Sequence, residues 1–281
     1  MKKITKEWIE QLLPIRADDV YKGSFGRILC VGGNETMGGA IIMSSAAALH
    51  AGAGLVTVAT AQVNRSALHA RSPECMFVDM FDCEALTTAI HQSDVILLGP
   101  GLGRDEPAQL IFETTLQQVT HQQLIIDADG LYWLSQLPHS IDKLQHAPIL
   151  TPHLGEWQRL TEIKPPADSM KQNLNYQKSL QAYIVLKKQR TEIYSFGKVW
   201  VNTCGNPAMA TGGMGDILAG IISSLVSQMD SIEEALVCGV FLHSYTADLL
   251  ARSHYITLPT RIIRDLPQVM KQLILEKEGE K

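Results

Sequence analysis

Cysteine is scarce and unpatterned: five residues in 281, an odd number, with no C-x-x-C pair. That argues against a disulfide scaffold or a zinc site and fits a reducing cytosol, so a cytoplasmic protein is expected. Cys30 and Cys238 sit inside apolar runs and read as small buried hydrophobes. Long apolar runs are also missing. No segment approaches the roughly 18 unbroken apolar residues of a membrane span. The longest candidate, DILAGIISSLVSQM, starts on Asp216 and is interrupted by serines. A signal peptide is missing too, because the two lysines at the start are followed by no apolar stretch. Trp8, Ile9, Leu12 and Leu13 instead form one stripe of a short helix. The chain lacks a basic run and carries a net charge of −5, which leaves no electrostatic footprint for nucleic acid. Finally, no P-loop, G-x-x-x-x-G-K-[ST], occurs anywhere.

What remains is alternation. RILCVGG, LVTVAT, DVILLGPGLG, QLIIDADG and APILTPHLGE read as strands, several running into glycines. GAIIMSSAAALHAGAG, EALTTAIHQS, PAQLIFETTLQQVT, GEWQRLTE and LNYQKSLQ read as helices between and after them. AYIVLKKQRTEIYSF and KVWVNT read as two strands of a hairpin around Phe196 and Gly197. DILAGIISSLVSQM and SIEEALVCGVFLHSYTADLLARS are long helices, and a polar helical tail follows. Continuous apolar strands alternating with helices predict an α/β fold, a mostly parallel sheet with helices on both faces. No repeat or linker divides the chain, so one domain over 1–281 is expected.

Ligands of such sheets bind beyond the carboxyl ends of the strands. The polar and glycine-rich segments GGNETMGG, GPGLG, DADG and TPHLGE all fall there and are expected to share one rim. The first lacks the G-x-G-x-x-G dinucleotide fingerprint. Asp127 and Asp129 share one side by period two. They are placed to hold a metal through water or to orient a hydroxyl, and Asp129 is equally placed to cap the next helix. His153 is either a ligand contact or an ordinary loop histidine. Glu156 is a candidate support for Mg²⁺. Lys187, Lys188 and Arg190 either meet nucleotide phosphates or guard a solvated sheet edge.

MATGGMGDILAG is the densest signal. Ile217, Leu218, Ile221, Ile222, Leu225 and Val226 make the helix it opens a buried one. Asp216 is placed to cap it. However, a cap has no need of Gly212, Gly213 and Gly215 in front of it. Bare N–H groups at a helix N-terminus form an anion nest, and phosphoryl transfer needs positioned donors and a carboxylate to take a hydroxyl proton. The helix N-terminus is expected to hold the Asp216 pKa low.

GGxGD opening a late buried helix, in an α/β chain of this size, resembles the ribokinase-like superfamily. KGSFGRILCVGGNETMGGA, AGAGLVTVAT, GPGLG, DADGL, TPHLGE and GNPAMATGGMGDILAG, in that order, are similar to one branch of it, the ADP- or ATP-dependent NAD(P)H-hydrate dehydratases. The resemblance implies a hydro-lyase that repairs hydrated NADH or NADPH. A nucleotide phosphorylates the ring hydroxyl, and loss of phosphate restores the double bond; ADP is the expected donor, giving AMP. It implies Asp216 as the base and Gly213, Met214 and Gly215 as the anion hole. It also implies Ala40, Gly103 and His153, with Asp216, as contacts to the hydrated dinucleotide. Lys187, Lys188, Gln189, Arg190 and Thr191, with Gly215, are the implied nucleotide contacts. Mg²⁺ supported by Glu156, and a homotetramer, are implied as well. Met214 stands where the family's threonine is usual, Lys188 where glycine is, and Asn34 and Met37 where serine and tyrosine are common. Two further readings stay open: a small-molecule kinase of the same fold, acting on a vitamin precursor or sugar, and a nucleotide-binding protein with an inactive site.

Overall fold

Apolar residues on both faces of the strands decide the architecture, because such strands need cover on both sides. The computed structural model describes residues 1–17, 19–162 and 170–279. Its strands are β1 (Lys2–Lys3), β2 (Arg27–Val31), β3 (Leu55–Thr60), β4 (Met76–Asp79), β5 (Val95–Leu98), β6 (Gln123–Ile126), β7 (Ile149–Leu150), β8 (Tyr183–Leu186), β9 (Glu192–Ser195) and β10 (Lys198–Val201). They join one sheet in the order β1-β10-β9-β8-β7-β6-β5-β2-β3-β4. Only β9 runs against the rest, pairing antiparallel with both β8 and β10.

The helices are α1 (Lys6–Leu12), α2 (Gly38–His50), α3 (Arg65–Arg71), α4 (Cys83–His91), α5 (Glu106–Gln118), α6 (Asp129–Gln136), α7 (Leu154–Thr161), α8 (Met170–Leu180), α9 (Met214–Val226), α10 (Ile232–Ala251) and α11 (Pro259–Glu278). Strand period splits the core in two. Ile28 and Cys30 of β2 join a cluster with α1, α2, α9, α10 and α11 on one face. Leu29 and Val31 join a second cluster with α4, α5, α6 and α7 on the other. The expected mostly parallel sheet with two helical layers is the observed one.

Two readings need correction, and the expected hairpin stands. The run over AYIVLKKQRTEIYSF is two strands, β8 and β9, because the polar residues Lys187 to Arg190 make a turn. The hairpin at Phe196 and Gly197 joins β9 to β10. The tail is not uniformly polar: Ile262, Ile263, Leu266, Val269 and Leu273 of α11 are buried in a helical stripe. Strand β4 and helix α3 had no clear periodic signal in so short a span.

One packing detail bears on the site. Helices α2 and α9 cross with their backbones in contact at Gly220. A methyl group there would lie 2.1 Å from the Ser44 carbonyl oxygen, so only glycine lets the two helices meet this closely.

Candidate active site

The parallel strands bring the carboxyl ends of β2, β5, β6, β7, β8 and β10 to one rim. The loops there bond to one another. Gly33 N–H donates to the Pro100 carbonyl at 2.9 Å and Asn34 N–H to that of Gly101 at 2.7 Å. Asn34 Oδ1 also accepts from the Thr36 and Met37 N–H groups, which shapes the turn into α2. Ala40, in the first turn of α2, lies against the Gly101 backbone. Gly103 has φ +99°, a left-handed conformation that favours glycine.

Asp129 does not cap α6, contrary to one of its two expected roles. Ala128 occupies the cap position without a side-chain bond. Instead the Asp129 carboxylate accepts from Gly103 N–H at 3.0 Å and from Arg104 Nε at 2.8 Å. It therefore clamps the GPGLG loop to the DADGL segment. Trp133 Nε1 donates to the Gly103 carbonyl at 3.0 Å from below. Ala40, Gly103 and Asp129 thus form one connected wall.

The second acid of that segment faces inward. Asp127 is 1% exposed, and its Oδ1 accepts from Lys187 Nζ at 2.6 Å. Lys187 follows β8, and its N–H is fixed by the Pro152 carbonyl at 2.8 Å. Burial works against its charge, but Asp127, Glu156 and Asp216 outweigh burial and hold its pKa above the ordinary value. Lys187 therefore belongs to this acidic cluster and does not guard a sheet edge. Lys188 pairs with Glu192 at 2.9 Å, and Arg190 donates to the Thr203 carbonyl.

His153 is the N-cap of α7. Its Nδ1 accepts from Gly155 N–H at 2.9 Å, while Glu156 Oε2 accepts from His153 N–H at 2.7 Å. This reciprocal capping box gives both residues a structural duty. Burial, then Lys187, depress the His153 pKa. Burial pushes Glu156 up to about 7 against the pull of Lys187.

Asp216 has no such duty. The cap position of α9 is Gly213, at φ +92°, and no side chain caps the helix. Asp216 stands in the first turn, facing Lys187 and the two acids of the DADGL segment. The low pKa expected from the helix N-terminus is not found. Burial, then Asp127, push it up to about 6, and Lys187 opposes them. Here desolvation and like charge outweigh the partial charge of the helix end. Gly215, one residue earlier, is close enough to Lys187 that a methyl group on it would lie 3.1 Å from Nζ.

Beside this cluster lies a cavity of about 560 Å³. Lys187, Lys188, Gln189, Thr191, Met214 and Gly215 form one side of it, and His153 reaches its edge. Arg190 is not on its wall. The opposite side comes from residues to which the sequence gave no site role, some of them inside the GNPAMATGGMGDILAG segment. They are the segment from Cys204 to Ala210 and, on α10, Val240, His243 and Ser244. Asp248 holds that segment, accepting from Gly205 N–H at 3.0 Å and Asn206 Nδ2 at 2.6 Å. An apolar helix such as α10 carries no local sign that its middle lines a cavity. Among the described residues, no three His, Cys, Asp or Glu side chains converge as metal ligands.

The arrangement combines a bare helix N-terminus, a buried ammonium, an uncapped carboxylate and a cavity of nucleotide size. Comparison with known proteins agrees with it. A family model described as NAD(P)H-hydrate dehydratase matches residues 28–268. The chain is 46% identical, over 96% of its length and 97% of the relative's, to the ADP-dependent (S)-NAD(P)H-hydrate dehydratase of Listeria monocytogenes. A ribokinase-like superfamily protein from Enterococcus faecalis superposes with a TM-score of 0.93 at 42% identity, covering 97% of this chain and 96% of that one. The ADP/ATP-dependent NAD(P)H-hydrate dehydratase of Bacillus subtilis, co-crystallised with ATP/Mg²⁺, superposes with a TM-score of 0.82 at 27% identity, covering 97% and 98%.

Proposed function

The chain belongs to the NAD(P)H-hydrate dehydratase family, and on that premise we propose that it regenerates NADH and NADPH from their hydrated forms. ADP serves as the phosphoryl donor and leaves as AMP. The observation that carries this reading is Asp216: a carboxylate at a bare helix N-terminus, free of any capping bond and facing a buried lysine.

The hydrated ring lies along the wall of Ala40, Gly103 and His153 with its hydroxyl toward Asp216. The nucleotide fills the cavity beside Lys187 to Thr191. Asp216 takes the hydroxyl proton as the oxygen attacks the terminal phosphorus, and the bond to the leaving AMP breaks. Main-chain N–H groups of the Gly213–Gly215 turn and the Lys187 ammonium meet the charge on the transferring phosphoryl oxygens. Met214 is no obstacle, because these donors belong to the backbone. Phosphate then departs with the ring C–O electrons, and a proton leaves the adjoining carbon to restore the double bond.

The donor set also fits Mg²⁺. Asp127 pairs with the Lys187 ammonium, and Glu156 and Asp216 also act on its charge, so the cluster when ionised has negative charge in excess although no three of its acids converge as ligands. Magnesium is commonly held by one or two carboxylates together with substrate phosphates and water. Glu156 would support it through the carboxylate that also caps α7, and the ion would supply charge neutralisation on the phosphates. The enzyme acts as one catalytic domain, a homotetramer of the cytoplasm, with small molecules as its only partners. No helix among the described residues is long and apolar enough to cross a membrane.

The test is direct. The protein is incubated with hydrated NADH, Mg²⁺ and either ADP or ATP, and the returning absorbance of the reduced nicotinamide is followed. Regeneration with ADP supports the reading. No regeneration with either nucleotide rejects it.

A further inference from the structure

Asn64 stands at the N-cap position of α3 but does not cap that helix. An asparagine there ordinarily spends its side chain on the N–H groups of its own helix. Here the side chain turns the other way, into the loop that opens α2. Its Nδ2 donates to the Gly33 carbonyl at 2.8 Å, to that of Asn34 at 3.1 Å and to Thr60 Oγ1 at 3.0 Å. Carbonyl oxygens only accept, so it is the nitrogen of the amide that faces this side. Thr60 is fully buried and donates its hydroxyl to the same Gly33 carbonyl at 2.7 Å. The oxygen side of the Asn64 amide meets Gly38, the first residue of α2, where a methyl group would lie 2.1 Å from Oδ1. Asn64 is only 8% exposed.

One buried amide thus grips both ends of the turn from Gly33 to Gly38. The other edge of that turn is held by the Pro100 and Gly101 carbonyls. Ala40 follows two residues after Gly38 and rests on Gly101, so its place is set by the same grip. Resting on the reading of Ala40 and Gly103 as the wall for the hydrated dinucleotide, we propose that Asn64 is a positioning residue for that substrate, holding the turn from Gly33 to Gly38 at the height where Ala40 meets the ring. The amide acts through the loop and leaves the nucleotide side alone, because neither Asn64, Thr60 nor Gly38 lines the cavity beside Lys187.

The test measures initial rates of NADH regeneration with hydrated NADH and ADP varied in turn. Asn64→Ala is expected to raise KM for hydrated NADH by about 10-fold and to leave KM for ADP, and the calorimetric affinity for ADP, within about threefold. Thr60→Val keeps the shape of the side chain and removes one donor to Gly33. It is expected to shift KM for hydrated NADH the same way by about threefold, and it carries the test if Asn64→Ala does not fold. Gly38→Ala is expected to raise KM for hydrated NADH in the parent and to add nothing in the Asn64→Ala background, where the amide it collides with is gone. A merely structural Asn64 would lower the melting temperature and leave the ratio of the two KM values unchanged. An unchanged KM for hydrated NADH in Asn64→Ala, or in Thr60→Val where Asn64→Ala does not fold, overturns the assignment. So do equal rises in both KM values, or a full Gly38→Ala penalty in the Asn64→Ala background. Failure of the unmodified protein to regenerate NADH with either nucleotide would instead overturn the dehydratase reading, and this one with it.

Discussion

Replacing Asp216 with asparagine separates a catalytic base from a helix cap by the sign of its effect on stability. If Asp216 capped α9, the substitution would cost stability or leave it unchanged, since losing a cap costs about 0.5–2 kcal/mol. The structure gives the opposite sign. The carboxyl titrates at about 6 in the folded protein against an ordinary 3.8. A group whose folded pKa is raised holds its proton longer in the fold than in the unfolded chain. Its ionisation therefore burdens the folded state, not at all below about pH 4 and fully above about pH 7. Two pH units correspond to roughly 3 kcal/mol, and screening at the partly exposed edge of the residue trims this to about 1–3 kcal/mol. Asp216→Asn removes that burden. At pH 8 its melting temperature is expected to rise by roughly 2–4 °C per kcal/mol for a chain of this size, and at about pH 3, where the carboxyl is protonated in both states, the two proteins should melt together. Turnover is expected to fall by about 10²- to 10⁴-fold. Thermal melts at the two pH values, run beside the dehydration assay, read both effects. A variant less stable than its parent at pH 8, or one that retains turnover, refutes the reasoning.

The same carboxyl sets the acid side of the rate profile. Turnover is expected to rise with pH around 6 as Asp216 loses its proton, and Asp127→Asn, which removes the like charge, should move that limb to lower pH in initial-rate measurements. Lys187→Met leaves the 1%-exposed Asp127 unpaired, so denaturant unfolding should show a loss of about 3–5 kcal/mol at pH 8. The loss should be smaller at pH 5.5, where Glu156, at about 7, and Asp216, at about 6, take up protons in the folded state. Gly215→Ala places a methyl group 3.1 Å from Lys187 Nζ, in the space a transferring phosphoryl group needs. Its kcat is expected to drop by about 100-fold, while circular dichroism and melting stay close to the parent's.

The sequence was legible where period and punctuation agree. Continuous apolar strands ending in glycine gave the sheet direction, and with it the rim that gathers Gly103, Asp127, His153 and Asp216. It was less legible where a residue's role depends on what meets it in space. Asp129 sits where a cap would stand, but the loop carrying Gly103 and Arg104 reaches it first. Lys187 looks like one of three exposed basic residues in a turn, and only the register of β8 beside β7 turns it onto Asp127. The pKa of Asp216 went the other way from expectation because one helix end competes with burial and a neighbouring acid. His243 gave no signal at all, since a histidine in an apolar helix reads as core until the cavity beside it is known.

The close crossing of α2 and α9 at Gly220 has a mechanical consequence. The loop from Gly33 to Met37 feeds α2, and the turn at Gly212 and Gly213 feeds α9. With the two backbones in contact, neither helix can shift toward the other. The two halves of the site are thereby held in fixed register before either ligand arrives. The segment from Cys204 to Ala210, tethered through Asp248 on α10, is the wall of the cavity that this helix contact does not hold.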